Sequence, residues 1–420
     1  MKYTYKKVLR ISLLLISLLL IGFISFLLYE TKDDINADLS NIEEKLNRFY
    51  NSERMGGFAV SLFNADSIIY TKGFGYANKE REKPYTSETQ QYIASISKTT
   101  IGIALMKAEE LKLLNIDHPI NDYLPFKIYN PYFPNDEITI KHLATHTSSL
   151  DYNESVVESL YTKEPNTEQS LALFMSDYFQ TGKYGEITFT KNKPGTNWNY
   201  SNIGSALAAY IVEHTSRMSF SNFTQTHIFN PLELNHTYWT ISRSDSLLHT
   251  SYYEPTEDSI INVKTSGVIL YPCRDLITNI EDLTKYCQAI LSKNPVLLKE
   301  SSFDRLLSPK LNSSVSNLPD DNNGLFFFID RNNYGITYQL TGMDGGDNCI
   351  KTMMYFDPKT RLGYIFIGNT GGTDLNRSNH IWIYNALVSL GYNYSIENGS
   401  IVSNFKLRMH NVYNRVRALF

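Results

Sequence analysis

Cysteine is scarce: Cys273, Cys287 and Cys349 are the only three in 420 residues. Their spacing fits neither a zinc site nor a thioredoxin motif, so no disulfide framework is implied; one bridge or three buried thiols both fit. An excess of positive charge is also missing. Lysine and arginine number 39 against 43 acidic residues, a formal net charge of −4, and such a chain lacks the basic field that neutralises phosphates. Nucleic acid is therefore not an expected partner. There is no G-x-S-x-G elbow, which removes the main sequence support for an α/β-hydrolase. His142 and His146 stand four apart as in a zinc-protease helix, but Leu143 takes the place of the catalytic glutamate, so no metal is expected. Internal repeats and low-complexity tracts are absent as well.

What the chain has is apolar mass. Its hydrophobic content is 42%, enough for a large core, and its 30 tyrosines and 22 phenylalanines are scattered rather than interleaved with arginine, as core and cleft lining would be. Ile11 to Leu28 carries no charge, follows Lys2, Lys6, Lys7 and Arg10, and precedes Glu30, Asp33, Asp34 and Asp38. This is long enough to span a bilayer, and the flanking charges place the rest of the chain outside the cytoplasm. The run ends in Phe26-Leu27-Leu28-Tyr29 rather than in the small residues of a cleavage site, so an uncleaved single-pass anchor is expected over a cleaved signal.

Periodicity then organises the remainder. Ala37 to Phe49 reads as a helix, and Gly57 to Tyr76 as a hairpin turning at Asn64-Ala65-Asp66. Ser95 to Leu114 has apolar residues at helical spacing, as do Ile203 to Thr215 and Ile280 to Ile290. Tyr334 to Gly342, Ile350 to Asp357 and Leu362 to Asn369 read as strands. Strands at both ends with helices between predict an α/β (α+β) fold: an antiparallel sheet built from both chain ends, flanked by helices, with an inserted helical lobe. The expected divisions are a stub, anchor and linker over 1–36 and a catalytic domain over 37–400. Within that domain the sheet lobe is about 37–94 and 266–400, the helical lobe about 95–265, and a basic tail follows over 401–420.

A serine hydroxyl needs a neighbouring base to become a nucleophile, and a lysine one helical turn away can serve when its surroundings hold it uncharged. Ser95 and Lys98 have that spacing at the start of a predicted helix, where backbone N–H groups can also face a developing oxyanion. The pattern alone is weak, since Ser403-Asn404-Phe405-Lys406 repeats it. Downstream, Tyr200-Ser201-Asn202 offers a phenol to shuttle a proton and an amide to hold a substrate carbonyl; helix capping by Ser201 or Asn202 explains the same triplet without chemistry.

Taken together, Tyr92-Ile93-Ala94-Ser95-Ile96-Ser97-Lys98-Thr99 resembles the acylation motif of class C beta-lactamases and their relatives among esterases and D-amino-acid peptidases. Similar segments come after it in order: His118-Pro119-Ile120, Tyr123-Leu124-Pro125, Ile138-Thr139-Ile140, His146-Thr147-Ser148 and Trp198 to Gly204. The resemblance covers roughly residues 38 to 390. It implies acyl transfer without cofactor, with Ser95 as nucleophile, Lys98 and Tyr200 managing the proton, and Asn202 orienting the substrate.

Relatives also carry a basic residue or tryptophan, a small residue and glycine on the strand lining the cleft. The expected counterpart here is Leu340-Thr341-Gly342, in which leucine replaces the cation, Thr341 and Gly342 remain for substrate binding, and the Met343 amide joins that of Ser95 as oxyanion donor. The next segment, Asp344-Gly345-Gly346-Asp347-Asn348-Cys349, reads as a long acidic loop. The expected activity is a membrane-anchored serine hydrolase acting on esters, amides or cell-wall peptide derivatives; the alternative is a catalytically degenerate penicillin-binding or sensor protein. Oligomeric state is not legible.

Overall fold

The computed structural model describes residues 38–397 except 152–160, 163–169, 182–183, 185–187, 242–244, 319–321 and 332–339. The expected anchor and the basic tail lie outside the described residues. Among those described, no helix is long and apolar enough to cross a membrane.

In chain order, helix α1 (Ile42–Phe49) leads into strands β1 (Gly57–Asn64), β2 (Ile68–Asn78) and β3 (Lys83–Pro84). The middle contributes α2 (Ser97–Glu110) and α3 (Asn202–Ser216) with shorter helices around them. Then come α4 (Ile280–Leu291), α5 (Glu300–Leu307), β4 (Asn322–Asn323), β5 (Phe328–Arg331), β6 (Leu340–Asp347), β7 (Ile350–Asp357), β8 (Leu362–Gly368) and α6 (Arg377–Glu397). The eight strands form one sheet in the order β4-β5-β6-β7-β8-β1-β2-β3, every neighbouring pair antiparallel. The sheet is thus closed at its centre by the two ends of the chain, β8 pairing with β1.

Both faces are covered, so the central strands are apolar nearly throughout and their alternation sorts residues between two cores. Phe58, Val60, Leu62, Tyr355 and Phe366 pack with α1 and α6 on one face. Ala59, Phe63, Met354, Phe356, Ile365 and Ile367 join the larger core on the other, which takes in α2, α3 and α4. Helix α2 is buried on almost every side, because it runs between the sheet and the helices of the middle segment.

The β1–β2 hairpin and strands β7 and β8 lie where the alternation predicts. Strand β6 does not. The chain from Asp344 to Asp347, expected as a loop, continues the strand, with Gly345 opposite Thr352 and Asp347 opposite Ile350. The three cysteines are buried and unbridged.

Candidate active site

Ser95 does not open the α-helix as expected; it sits in a 3-10 turn, Ala94–Ile96, that runs into α2. Ala94 has a φ of 52°, a left-handed conformation that costs an L-residue energy and aims the next side chain out of the line of the helix. The sheet holds this turn in place. Thr352 Oγ1 on β7 donates to the Ile93 carbonyl at 2.9 Å, and the adjacent residue on β6 is Gly345. A Cβ at Gly345 would lie 2.6 Å from the Ser95 amide nitrogen and 2.7 Å from the Ile93 carbonyl oxygen, so only glycine lets the strand approach so closely.

Two groups converge on Ser95 Oγ. Lys98 Nζ and Tyr200 Oη each donate to it at 3.0 Å. Lys98, 1% exposed, is pinned by a second bond to the Cys273 carbonyl at 2.9 Å, and its ammonium stands 5.0 Å from the Tyr200 ring centre. Ser201 caps α3 through a bond from the Gly204 amide at 3.0 Å, which fixes the residues on either side of it. Ser201 is thus the cap of α3, and that cap stands beside the Tyr200 hydroxyl that reaches Ser95. Asn202 lines the same cavity, and its side-chain Oδ1 is buried without a hydrogen-bond partner.

His146 lies beneath Tyr200, the two rings 4.5 Å apart. Its Nδ1 accepts from the Ser201 amide at 3.2 Å, and burial, with the Lys98 charge second, pushes its pKa down to about 3. It is a neutral support for the tyrosine. His142 instead completes a capping box with Thr139. Among the described residues no group of three or more histidine, cysteine, aspartate or glutamate side chains is placed to hold a metal ion.

The cavity has a volume of about 510 Å³ and is lined by Ser95, Lys98, Tyr200, Asn202, Cys273, Arg274, Lys351 and β6 residues from Met343 to Asp347. Here the sequence-derived register fails. Leu340 is fully buried in the core on the α6 face, and Thr341 lines a separate cavity with Phe356 and Arg361. Gly342 packs against β7, where an added Cβ would meet the Met354 carbonyl oxygen at 2.0 Å. The glycine that abuts the nucleophile is Gly345, so the triplet ending in it is Met343-Asp344-Gly345, three residues further on. Met343 takes the place expected of the basic residue; it is apolar and 2% exposed. The backbone amide after the glycine is then that of Gly346, not Met343.

Three features carried no sequence signal: the Cys273 carbonyl behind Lys98, the contact of Gly345 with the Ser95 turn, and an ion pair between Arg274 and Asp347 at the cavity wall. Each joins segments far apart along the chain, the nearest being Arg274 and Asp347 at 73 residues.

The chain is 24% identical over 273 residues to PbpX of Bacillus subtilis, named as a putative penicillin-binding protein, a match covering 64% of this chain and 63% of that one. It is 21% identical over 314 residues to protein flp of Staphylococcus aureus, covering 74% of this chain and 59% of flp. The chain thus spans less than two thirds of the length of either relative. Among solved structures, the octameric penicillin-binding protein homologue from Pyrococcus abyssi superposes with a TM-score of 0.69 at 20% identity, over 86% of this chain and 78% of that one. A family model described as Beta-lactamase matches residues 40–387, taking in the sheet, the Ser95 turn and the helices between, and the chain belongs to that family.

Proposed function

We propose that the protein is a serine hydrolase that forms an acyl-enzyme on Ser95. The observation that carries this reading is the convergence of Lys98 Nζ and Tyr200 Oη on Ser95 Oγ, at 3.0 Å each, inside a cavity large enough for a small acyl donor. In the reactive state one of these two groups has given up its proton. It takes the proton of Oγ as Oγ attacks the substrate carbonyl, and the pair then delivers a proton to the leaving group. The carbonyl oxygen collects charge beside the Ser95 amide, with the Gly346 amide as second donor. Water enters by the reverse of these steps and releases the acid.

Neutral esters and amides are the proposed substrates, with cell-wall peptide derivatives included where the carboxylate beside the scissile bond is masked, since Met343 brings no charge to meet a substrate carboxylate. The uncharged stretch from Ile11 to Leu28, preceded by basic residues, supports a domain tethered to the membrane and facing away from the cytoplasm. Met343 also favours a second reading, a sensor that is acylated and does not turn over.

A panel of an aryl ester, a chromogenic beta-lactam and a D-amino-acid peptide tests the proposal on the full chain in detergent. Turnover of the ester that disappears in Ser95→Ala supports hydrolysis. Stoichiometric labelling without turnover supports the sensor, and labelling that survives Ser95→Ala rejects both.

A further inference from the structure

Arg274 and Asp347 face the same cavity as Ser95, and no step of acyl transfer uses either. The guanidinium donates through Nε to Asp347 Oδ2 at 2.9 Å and through Nη2 to the same oxygen. Its Nη1 donates to Asp275 Oδ1 at 2.8 Å and to the Ser266 carbonyl at 3.1 Å. The Nε–Nη2 edge, the fork that binds a carboxylate side-on, is thus filled by a carboxylate of the chain itself. Asp347 is not a waving surface group. Its other oxygen accepts from the Cys349 amide at 2.9 Å, which fixes the carboxylate at the end of β6, and its side chain is 17% exposed.

The remaining charges follow the same plan. Lys351 lies 3.3 Å from Asp344 Oδ2, and Asp344 Oδ1 accepts from the Tyr355 hydroxyl at 3.1 Å. Among the described residues three cationic side chains line the cavity: Lys98 attends Ser95, and the other two are each matched by a carboxylate. An incoming carboxylate would have to displace a tethered one, which competes at the high effective concentration of an intramolecular group, and would be repelled by it at close range.

We propose that Asp347 is a specificity-determining residue: its carboxylate occupies the Arg274 fork where a substrate carboxylate would otherwise dock, restricting the site to acyl donors without a carboxylate beside the scissile bond. The kinetic consequence rests on Ser95 being the nucleophile; the occupation of Arg274 does not.

The test uses the full chain and two ligands of one shape, hippurate and its neutral amide, with binding read by calorimetry. Wild type should bind hippurate no more tightly than the amide. Asp347→Ser and the isosteric Asp347→Asn should gain about ten- to a hundredfold for hippurate, the worth of a charge-assisted pair, with the amide moving less than about threefold. Adding Arg274→Gln should abolish the gain. Benzylpenicillin acylation, relative to a neutral aryl ester, should rise by a similar factor in the single variants. A wild type that already prefers hippurate, single variants with no gain, or a gain that survives Arg274→Gln would each overturn the inference. Absence of any acyl group on Ser95 would instead remove the proposed reaction, and the hippurate comparison alone would then decide the role of Asp347.

Discussion

Replacing Gly345 by alanine should disable the nucleophile while leaving the sheet folded. The added methyl would stand 2.6 Å from the Ser95 amide nitrogen, 2.7 Å from the Ile93 carbonyl oxygen and 2.7 Å from Thr352 Oγ1. Non-bonded carbon contacts relax near ~3.5 Å, so the turn carrying Ser95 must retreat by most of an ångström. Neither backbone atom belongs to a flexible side chain, and Thr352 is itself bonded to the Ile93 carbonyl at 2.9 Å. A displacement of that size costs about a hundredfold through misplaced reacting groups, and masking one oxyanion donor costs about a hundred- to a thousandfold. Overpacking should take about 1–3 kcal/mol of stability. Gly342→Ala is the contrast: its methyl would meet the Met354 carbonyl oxygen at 2.0 Å and Tyr355 Cα at 2.7 Å, so the sheet should suffer first. The assay is the second-order rate of labelling by a fluorophosphonate, measured beside a thermal melt. Gly345→Ala reacting within about threefold of wild type would refute the reasoning. So would a stable, well-folded Gly342→Ala that had lost a hundredfold in rate.

Three further outcomes are expected. Lys98→Arg keeps a cation that cannot act as a base, so acylation should fall by about a hundredfold or more; a rate near wild type in stopped-flow labelling would remove Lys98 from proton transfer. Met343→Lys should raise penicillin acylation relative to a neutral aryl ester by about ten- to a hundredfold, and an unmoved ratio would show that position 343 does not set charge preference. Burial pushes the pKa of His142 and His249 down to about 4 and of His146 and His380 down to about 3. Below the ordinary histidine value the unfolded chain binds protons that the native state refuses, so stability should fall as pH drops from 6.5 toward 3. The loss is up to about 2 kcal/mol per histidine by pH 5, and a denaturant midpoint unchanged between pH 7 and 5 would contradict it.

Much of this arrangement was readable from the chain, and where it was not the cause is physical. Strands β7 and β8 announced themselves because alternate residues feed two different cores, and α3 because small and apolar residues recur at helical spacing. Ser95, Lys98 and Tyr200 were legible because order along the chain carries the family's pattern, and the structure brings them together. Strand β6 misled. Asp344-Gly345-Gly346-Asp347 has the composition of a loop, yet it pairs along its length with β7, and its glycine exists to admit the Ser95 turn. With that stretch set aside as loop, the earlier Thr341-Gly342 took its role, and the expected cation gap fell on Leu340 instead of Met343. The Cys273 carbonyl and the Arg274–Asp347 pair could not be seen at all, because a backbone acceptor has no residue signature and the pair spans two distant segments.

The most direct test of the account is where the acyl group goes. Full-length protein treated with a fluorophosphonate or an aryl ester and then digested should yield one modified peptide, with fragmentation placing the added mass on Ser95, and Ser95→Ala should yield none. An adduct on any other residue, or an unmodified Ser95 in folded protein exposed to both reagents, would contradict it.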